Sequence, residues 1–221
     1  MIRMFELKKE IWLIAILLIS MLNACDYRKN TDKHTGLVKN PKDSVVKENY
    51  MITCESVGVI NKKDKELQLS MKFGEIAVKR DSLFKEGMFE EMITVVNSGK
   101  DTELKVHWNK HGQIKMIVIS NPNSPYQYVN GIKLGTSLNT LTALNKKAIS
   151  FYGFGWDYGG TISDLNGGQI QKELPCFAGV FAVKKGQEIS SSLLGDKILT
   201  SDFPKAQTAN IYLKEIRVKL N

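Results

Sequence analysis

Ten consecutive residues, 151–160, hold the side chains most suited to binding chemistry: five aromatic residues and four glycines accompany one aspartate. Aromatic rings beside flexible backbone can stack on sugar rings, and Asp157 can accept hydrogen bonds from hydroxyl groups. The same composition builds a tight hairpin whose rings close a hydrophobic core, and this structural interpretation is favoured because aromatic residues are more often core than binding surface. Under either interpretation the candidate residues are Tyr152, Phe154, Trp156, Asp157 and Tyr158.

Other residue types capable of chemistry lack a supporting pattern. His107 and His111 are four residues apart, which brings two ligands to one metal ion only on a helix face, whereas this segment indicates a strand and a turn. No metal site is therefore predicted. The sequence contains no Gly-x-Ser-x-Gly, phosphate-loop or His-Glu-x-x-His motif, so neither catalytic residues nor cofactors are predicted. An envelope hydrolase with two carboxylates brought together by the fold stays open as an alternative.

The N-terminal residues have the pattern of an export signal. Three basic residues precede a 12-residue apolar run, residues 11–22, which is shorter than the ~20 residues of a membrane-spanning helix. The run ends in Leu22-Asn23-Ala24-Cys25, which resembles the lipobox of bacterial lipoproteins. The resemblance implies that residues 1–24 are removed and that Cys25 carries acyl chains such as palmitate. An uncleaved anchor or an ordinary signal peptide are the alternatives, and each of them also exports the body.

Export limits the partners of this basic chain. Its formal net charge of +8 over 221 residues would admit nucleic acid, but chromosomal DNA and RNA are absent outside the cytoplasm. The lysines are scattered, which favours a solvated surface. The expected location is the bacterial cell envelope, facing away from the cytoplasm. The expected partners are the membrane, through the lipid anchor, and an envelope protein or polysaccharide.

The remaining sequence predicts an α+β body. Residues 25–49 indicate a lipidated cysteine and a flexible, polar tether, and residues 50–221 indicate the body. Alternation predicts a mostly antiparallel sheet. The predicted strands are 57–60, 92–96, 103–108, 114–119, 148–152, 160–165, 178–183 and 211–220, the last with a bulge at Lys214–Glu215.

One or two short helices are expected on one face of this sheet. Residues 65–73 fit both a strand and a helix, with Asp64 as a potential cap and Gly74 as a stop. Residues 131–145 have a similar layout, with clear caps and a leucine stripe, and this favours the helix. The two layouts indicate two similar halves, 50–125 and 126–221.

Residues 131–145 resemble the glycine, capped-helix and leucine motif of small envelope proteins related to outer-membrane assembly lipoproteins and β-lactamase-inhibitor-like domains. Together with the Gly-Phe-Gly-Trp-Asp-Tyr-Gly-Gly segment, the region 131–160 is similar to a group of uncharacterised bacterial lipoproteins. The resemblance implies an exported binding or scaffolding module and transfers no catalytic residue. A non-catalytic, lipid-anchored module is therefore the leading hypothesis, ahead of a carbohydrate-binding module that uses residues 151–160.

Two cysteines remain in the body. In an exported chain, Cys54 and Cys176 most simply pair with each other, although two buried free thiols are an alternative.

Overall fold

The computed structural model describes residues 49–85 and 88–220, with side chains throughout except at residues 84, 85 and 88–90. The described residues belong to a single compact unit. The predicted signal peptide, Cys25 and residues 26–48 of the predicted tether lie outside the described residues. Within the described part the fold is α+β with mostly antiparallel sheets, which confirms the predicted fold class.

A six-stranded antiparallel sheet forms the largest layer of the body. Its strands follow the order β11 (Phe177–Val183), β13 (Ile211–Lys219), β7 (Ile114–Ile119), β6 (Leu104–Trp108), β5 (Met88–Val96) and β4 (Val78–Lys85). Val180 and Phe181 of β11 face Glu215 and Leu213 of β13, so the register skips Lys214. The bulge predicted from the break in alternation is therefore confirmed.

Two smaller sheets flank this layer. One has the order β3 (Ile60–Asn61), β2 (Ser56–Val57), β1 (Met51–Ile52) and β8 (Gln127–Tyr128), and its β1–β8 pair is parallel. The other has the order β10 (Ile162–Asp164), β9 (Ser150–Tyr152) and β12 (Ile198–Thr200), and both of its pairs are antiparallel.

Four short helices complete the described fold: α1 (Glu66–Phe73), α2 (Leu138–Asn145), α3 (Gln169–Glu173) and α4 (Pro204–Thr208). The ambiguous segment at 65–73 is thus a helix, and it ends where the backbone N–H of Gly74 donates to the Ser70 carbonyl (2.8 Å). Asp64 does not cap α1, because its carboxylate accepts from the backbone N–H of Asn61 instead (2.8 Å).

The N-terminus of α2 has the predicted cap. The Ser137 hydroxyl accepts from the backbone N–H of Thr140 (3.0 Å) and so satisfies one of the N–H groups that have no partner inside the helix. The helix ends at Asn145, as predicted, and Lys146 follows in the left-handed conformation. The Asn145 amide is fully buried and donates to the Leu165 carbonyl (2.9 Å), which fixes the loop before α3.

A polar network holds α1 against the sheet beside the hydrophobic core. The Trp108 indole N–H donates to the buried hydroxyl of Thr94 (2.9 Å), and that hydroxyl donates to the Glu66 carboxylate (3.1 Å). Arg80 forms two hydrogen bonds with the same carboxylate (2.8 and 2.6 Å). The guanidinium of Arg80 holds the pKa of Glu66 below its usual value, although partial burial opposes the shift.

The structure corrects one predicted strand and adds several elements. Residues 57–60 are not a strand but a hairpin, because Gly58 turns the chain with a φ of 55° and donates its N–H to the Met51 carbonyl (2.8 Å). A side chain at Gly58 would meet the Asn49 carbonyl oxygen at 2.4 Å. The prediction missed β1, β4, β8, β12, α3 and α4. Strands from 50–125 and from 126–221 share the six-stranded sheet, and the similarity of the two segments stays a prediction. None of the helices in the described residues is long and apolar enough to span a membrane.

Candidate functional site

The three-stranded sheet positions the aromatic segment by sending alternate side chains to opposite faces. Phe151 and Leu199 are opposite each other on β9 and β12, and both are buried. Tyr152 and Ile198 form the next opposed pair, and Ile198 is 59% exposed. The sheet therefore has one face on the core and an outer face that presents apolar side chains to solvent.

Main-chain hydrogen bonds fix the turn that follows β9. The N–H groups of Gly159, Gly160 and Thr161 donate to the carbonyls of Trp156, Tyr152 and Tyr158 at 2.9, 2.9 and 3.0 Å. Gly160 has a φ of 78°, and a Cβ there would lie 2.1 Å from the Phe181 carbonyl oxygen. Only glycine fits this close approach of two backbones, so the turn has a defined conformation.

Three rings, those of Tyr152, Trp156 and Tyr158, form what we call the aromatic surface. The Trp156 ring lies 5.6 Å from that of Tyr152 and 5.3 Å from that of Tyr158, with interplanar angles of 88° and 65°. Trp156 and Tyr158 are 36% and 46% exposed. The Trp156 indole N–H donates to the Gly153 carbonyl (2.9 Å), so the polar edge of this ring is already engaged and its apolar faces are what it offers to a ligand.

The other rings of the segment are structural. Phe154 is buried, and its ring centroid lies 6.0 Å from that of Phe151, which in turn contacts Phe181 at 5.4 Å. The two interpretations of residues 151–160 thus apply to different side chains. Phe154 closes the core, whereas the expectation of a core ring is wrong for Trp156.

Asp157 lies between the two exposed rings in sequence and is itself exposed. A turn this sharp is expected to satisfy the carboxylate either with nearby backbone N–H groups or with a ligand. The first alternative is wrong, because within residues 49–85 and 88–220 the carboxylate accepts no hydrogen bond and forms no ion pair. The N–H groups of Gly159, Gly160 and Thr161 donate to main-chain carbonyls instead. Asp157 therefore presents an acceptor to solvent beside the aromatic surface.

The structure places the remaining candidate residues away from this surface. Cys54 and Cys176 form a disulfide, as the sequence favoured, and it links the turn after β1 to the start of β11. His107 is buried and its Nδ1 lies 2.8 Å from a Glu91 carboxylate oxygen, whereas His111 lies in the exposed turn between β6 and β7. The described part of the chain holds no group of three or more residues arranged to bind a metal ion.

A groove of about 760 Å³, which the sequence did not predict, lies near the end of β11 and the start of β13. We call it the lysine groove, because Lys184 and Lys185 line it together with residues 135, 137, 139 and 207–212. The adjacent lysines were visible in the sequence. The two lysines come close to residues about 25 and 50 positions away only because the strands pair, and no pattern in the neighbouring sequence indicates this.

Comparisons with protein families, with curated proteins and with solved structures gave no match for this chain.

Proposed function

We propose that this protein is a lipid-anchored, non-catalytic binding module of the bacterial cell envelope, and that its aromatic surface binds a saccharide. The observation that supports the proposal is the presentation of Trp156 and Tyr158 to solvent on a turn of fixed conformation. The predicted lipid on Cys25 would keep the body in the envelope, where polysaccharides are abundant.

Exposed rings on an ordered turn favour binding for an energetic reason. A ligand that contacts Trp156 removes apolar surface from water, and this is favourable by roughly 25 cal/mol per Å² of apolar area. The main-chain hydrogen bonds and ring contacts already restrict these side chains. Binding therefore loses little conformational entropy, which is the usual benefit of a preorganised site.

Asp157 favours a saccharide over a protein as the ligand. Carboxylates are depleted at the centres of protein interfaces, because burying an unpaired charge against apolar atoms is costly. A sugar has apolar C–H faces that can stack on a ring and hydroxyl groups that can donate to a carboxylate next to it. The alternation Trp156-Asp157-Tyr158 supplies both kinds of contact within one turn.

Retention on insoluble polysaccharides tests the proposal. The full-length protein, purified in detergent, is incubated with peptidoglycan, chitin and cellulose, and the bound fraction is measured. Asp157→Asn should lose part of its retention, because a neutral amide oxygen accepts more weakly than a carboxylate, and it should keep its stability, since the carboxylate has no partner in the described structure. Trp156→Ala should also lose retention, at a stability cost of about 2 kcal/mol, because its ring is only partly buried.

Matched controls separate this surface from general effects. Asp101→Asn removes the same charge from another exposed turn, and Ile76→Ala removes an apolar side chain that is 94% exposed. Both should be retained like the wild-type protein. Retention of none of the three polysaccharides, or equal losses in Asp157→Asn and Asp101→Asn, would contradict the proposal. Capture of an envelope protein that depends on Trp156 in the absence of saccharide would assign the surface to a protein partner instead.

A further inference from the structure

We propose that the lysine groove is a second binding site, and that it takes an oxyanion, a carboxylate or a phosphate, carried on a polar oligomer. This site lies outside the aromatic surface, with which it shares no lining residue. The inference therefore does not depend on the saccharide proposed for that surface.

The positive charges of the groove have no acidic partner in its described lining. The ammonium groups of Lys184 and Lys185 have neither a hydrogen bond nor an ion pair to any described residue, and both side chains are exposed. The described lining residues include no aspartate and no glutamate. Two adjacent positive charges in a groove whose lining holds no carboxylate attract an anion, and a groove concentrates that field more than a flat surface does.

The other polar side chains of the groove add hydrogen-bond donors. The side-chain amides of Gln207 and Asn210 have no partner among the described residues, so their N–H groups are available to a ligand. The lining also includes Tyr212, which is partly exposed. The two ammonium groups donate hydrogen bonds and accept none, and each amide offers two N–H donors beside its one oxygen. An oxyanion supplies the missing acceptors and the missing charge.

Backbone contacts give the groove a defined shape. The Lys184 N–H donates to the Asn210 carbonyl (3.0 Å), which joins the two sides of the groove. The Asn139 side-chain amide donates to the Gln207 carbonyl (3.1 Å) and connects α2 to the end of α4. A volume of about 760 Å³ falls within the range of sites that bind small ligands. The groove is therefore large enough to hold a charged residue of an oligomer.

Binding titrations of the full-length protein in detergent test this inference, with two probes that distinguish the sources of the anion. One probe is a galacturonic acid tetramer, which carries carboxylates, and the other is a glycerol phosphate oligomer. At least one of them should bind in about 50 mM salt and bind more weakly in about 500 mM salt, because salt screens exposed charges. Its affinity should fall at least about fivefold in the double variant Lys184→Gln/Lys185→Gln.

Two further variants keep this result interpretable. Lys184→Arg/Lys185→Arg keeps both charges and should bind within about twofold of the wild-type protein. Lys110→Gln/Lys115→Gln removes the same charge from exposed residues of the hairpin between β6 and β7, and it should also stay within about twofold. Binding of neither probe, or equal losses in the two glutamine variants, would overturn the inference. Binding of one probe alone identifies its anion as the one that the groove takes.

Discussion

The disulfide between Cys54 and Cys176 is predicted to be a major contributor to the stability of the body. Cys54 lies in the turn between β1 and β2, and Cys176 precedes β11, so the bond connects the small four-stranded sheet to the six-stranded sheet. Replacement of both cysteines by alanine removes the cross-link without leaving a reactive thiol. Cys176 is nearly fully buried, so the substitution also removes core contacts.

The sequence separation sets the expected magnitude. The two cysteines are 122 residues apart, and the chain-entropy relation assigns about 5 kcal/mol to a cross-link that closes so long a loop. Measured losses on removing native disulfides are typically about 2 to 5 kcal/mol. We therefore expect the free energy of unfolding to fall by about 2 to 5 kcal/mol, a large fraction of the stability of an ordinary domain.

Urea titration with tryptophan fluorescence measures this loss, since Trp108 and Trp156 report on different parts of the body. The oxidised wild-type protein is compared with the double alanine variant and with wild-type protein kept under reductant. The reduced protein should lose a comparable stability. A loss below about 1 kcal/mol in both samples would refute the entropic argument. Labelling of both thiols by an alkylating reagent, without reductant, would refute the bond itself.

Three other changes test further parts of the account. Cys25→Ser should release the body from membranes or block its maturation, and unchanged detergent partitioning with an unchanged mature mass would reject lipidation. Glu66→Gln should lower the free energy of unfolding at neutral pH. The hydrogen bonds from Arg80 lower the pKa of Glu66 in the folded state. The stability that the Glu66 carboxylate contributes is therefore complete at pH values above its pKa in the unfolded chain, and it is lost as the pH falls through its pKa in the folded protein. Urea titrations at several pH values check this, and a difference between wild type and variant that does not vary with pH would argue against it. Tyr128→Phe should leave the free energy of unfolding unchanged or raise it by up to about 2 kcal/mol, since this buried hydroxyl has no hydrogen-bond partner among the described residues. A loss above about 1 kcal/mol on urea titration would show that the hydroxyl is satisfied.

The sequence predicts those elements that have a local cause. The Ser137 cap and the leucine stripe determine α2, and the break in alternation at Lys214 determines the bulge of β13. The edge strand β4 was missed because its residues, Val78–Lys85, alternate poorly and are rich in charge. Charged side chains are common on edge strands, where they discourage pairing with other chains, so polarity there does not exclude a strand.

The sequence predicts where the candidate site lies, but not which of its side chains are buried and which are exposed. Composition marks residues 151–160 as unusual, yet the choice of core or solvent for each ring follows from the pairing of β9 with β12. That pairing joins residues about 50 positions apart, so Phe151 turns inward and Tyr152 outward for reasons absent from the local sequence. The lysine groove has the same origin, because its two sides are close only once β11 pairs with β13.

Nuclear magnetic resonance of the indole N–H groups tests the saccharide proposal most directly. The ¹⁵N-labelled full-length protein in detergent is titrated with cellotetraose and with an N-acetylglucosamine tetramer. Trp108 donates its N–H to Thr94 within the body and serves as an internal control for Trp156. At least one oligosaccharide should shift the Trp156 resonance saturably and leave the Trp108 resonance in place. A Trp156 resonance that neither oligosaccharide moves, or equal shifts of both indoles, would contradict it.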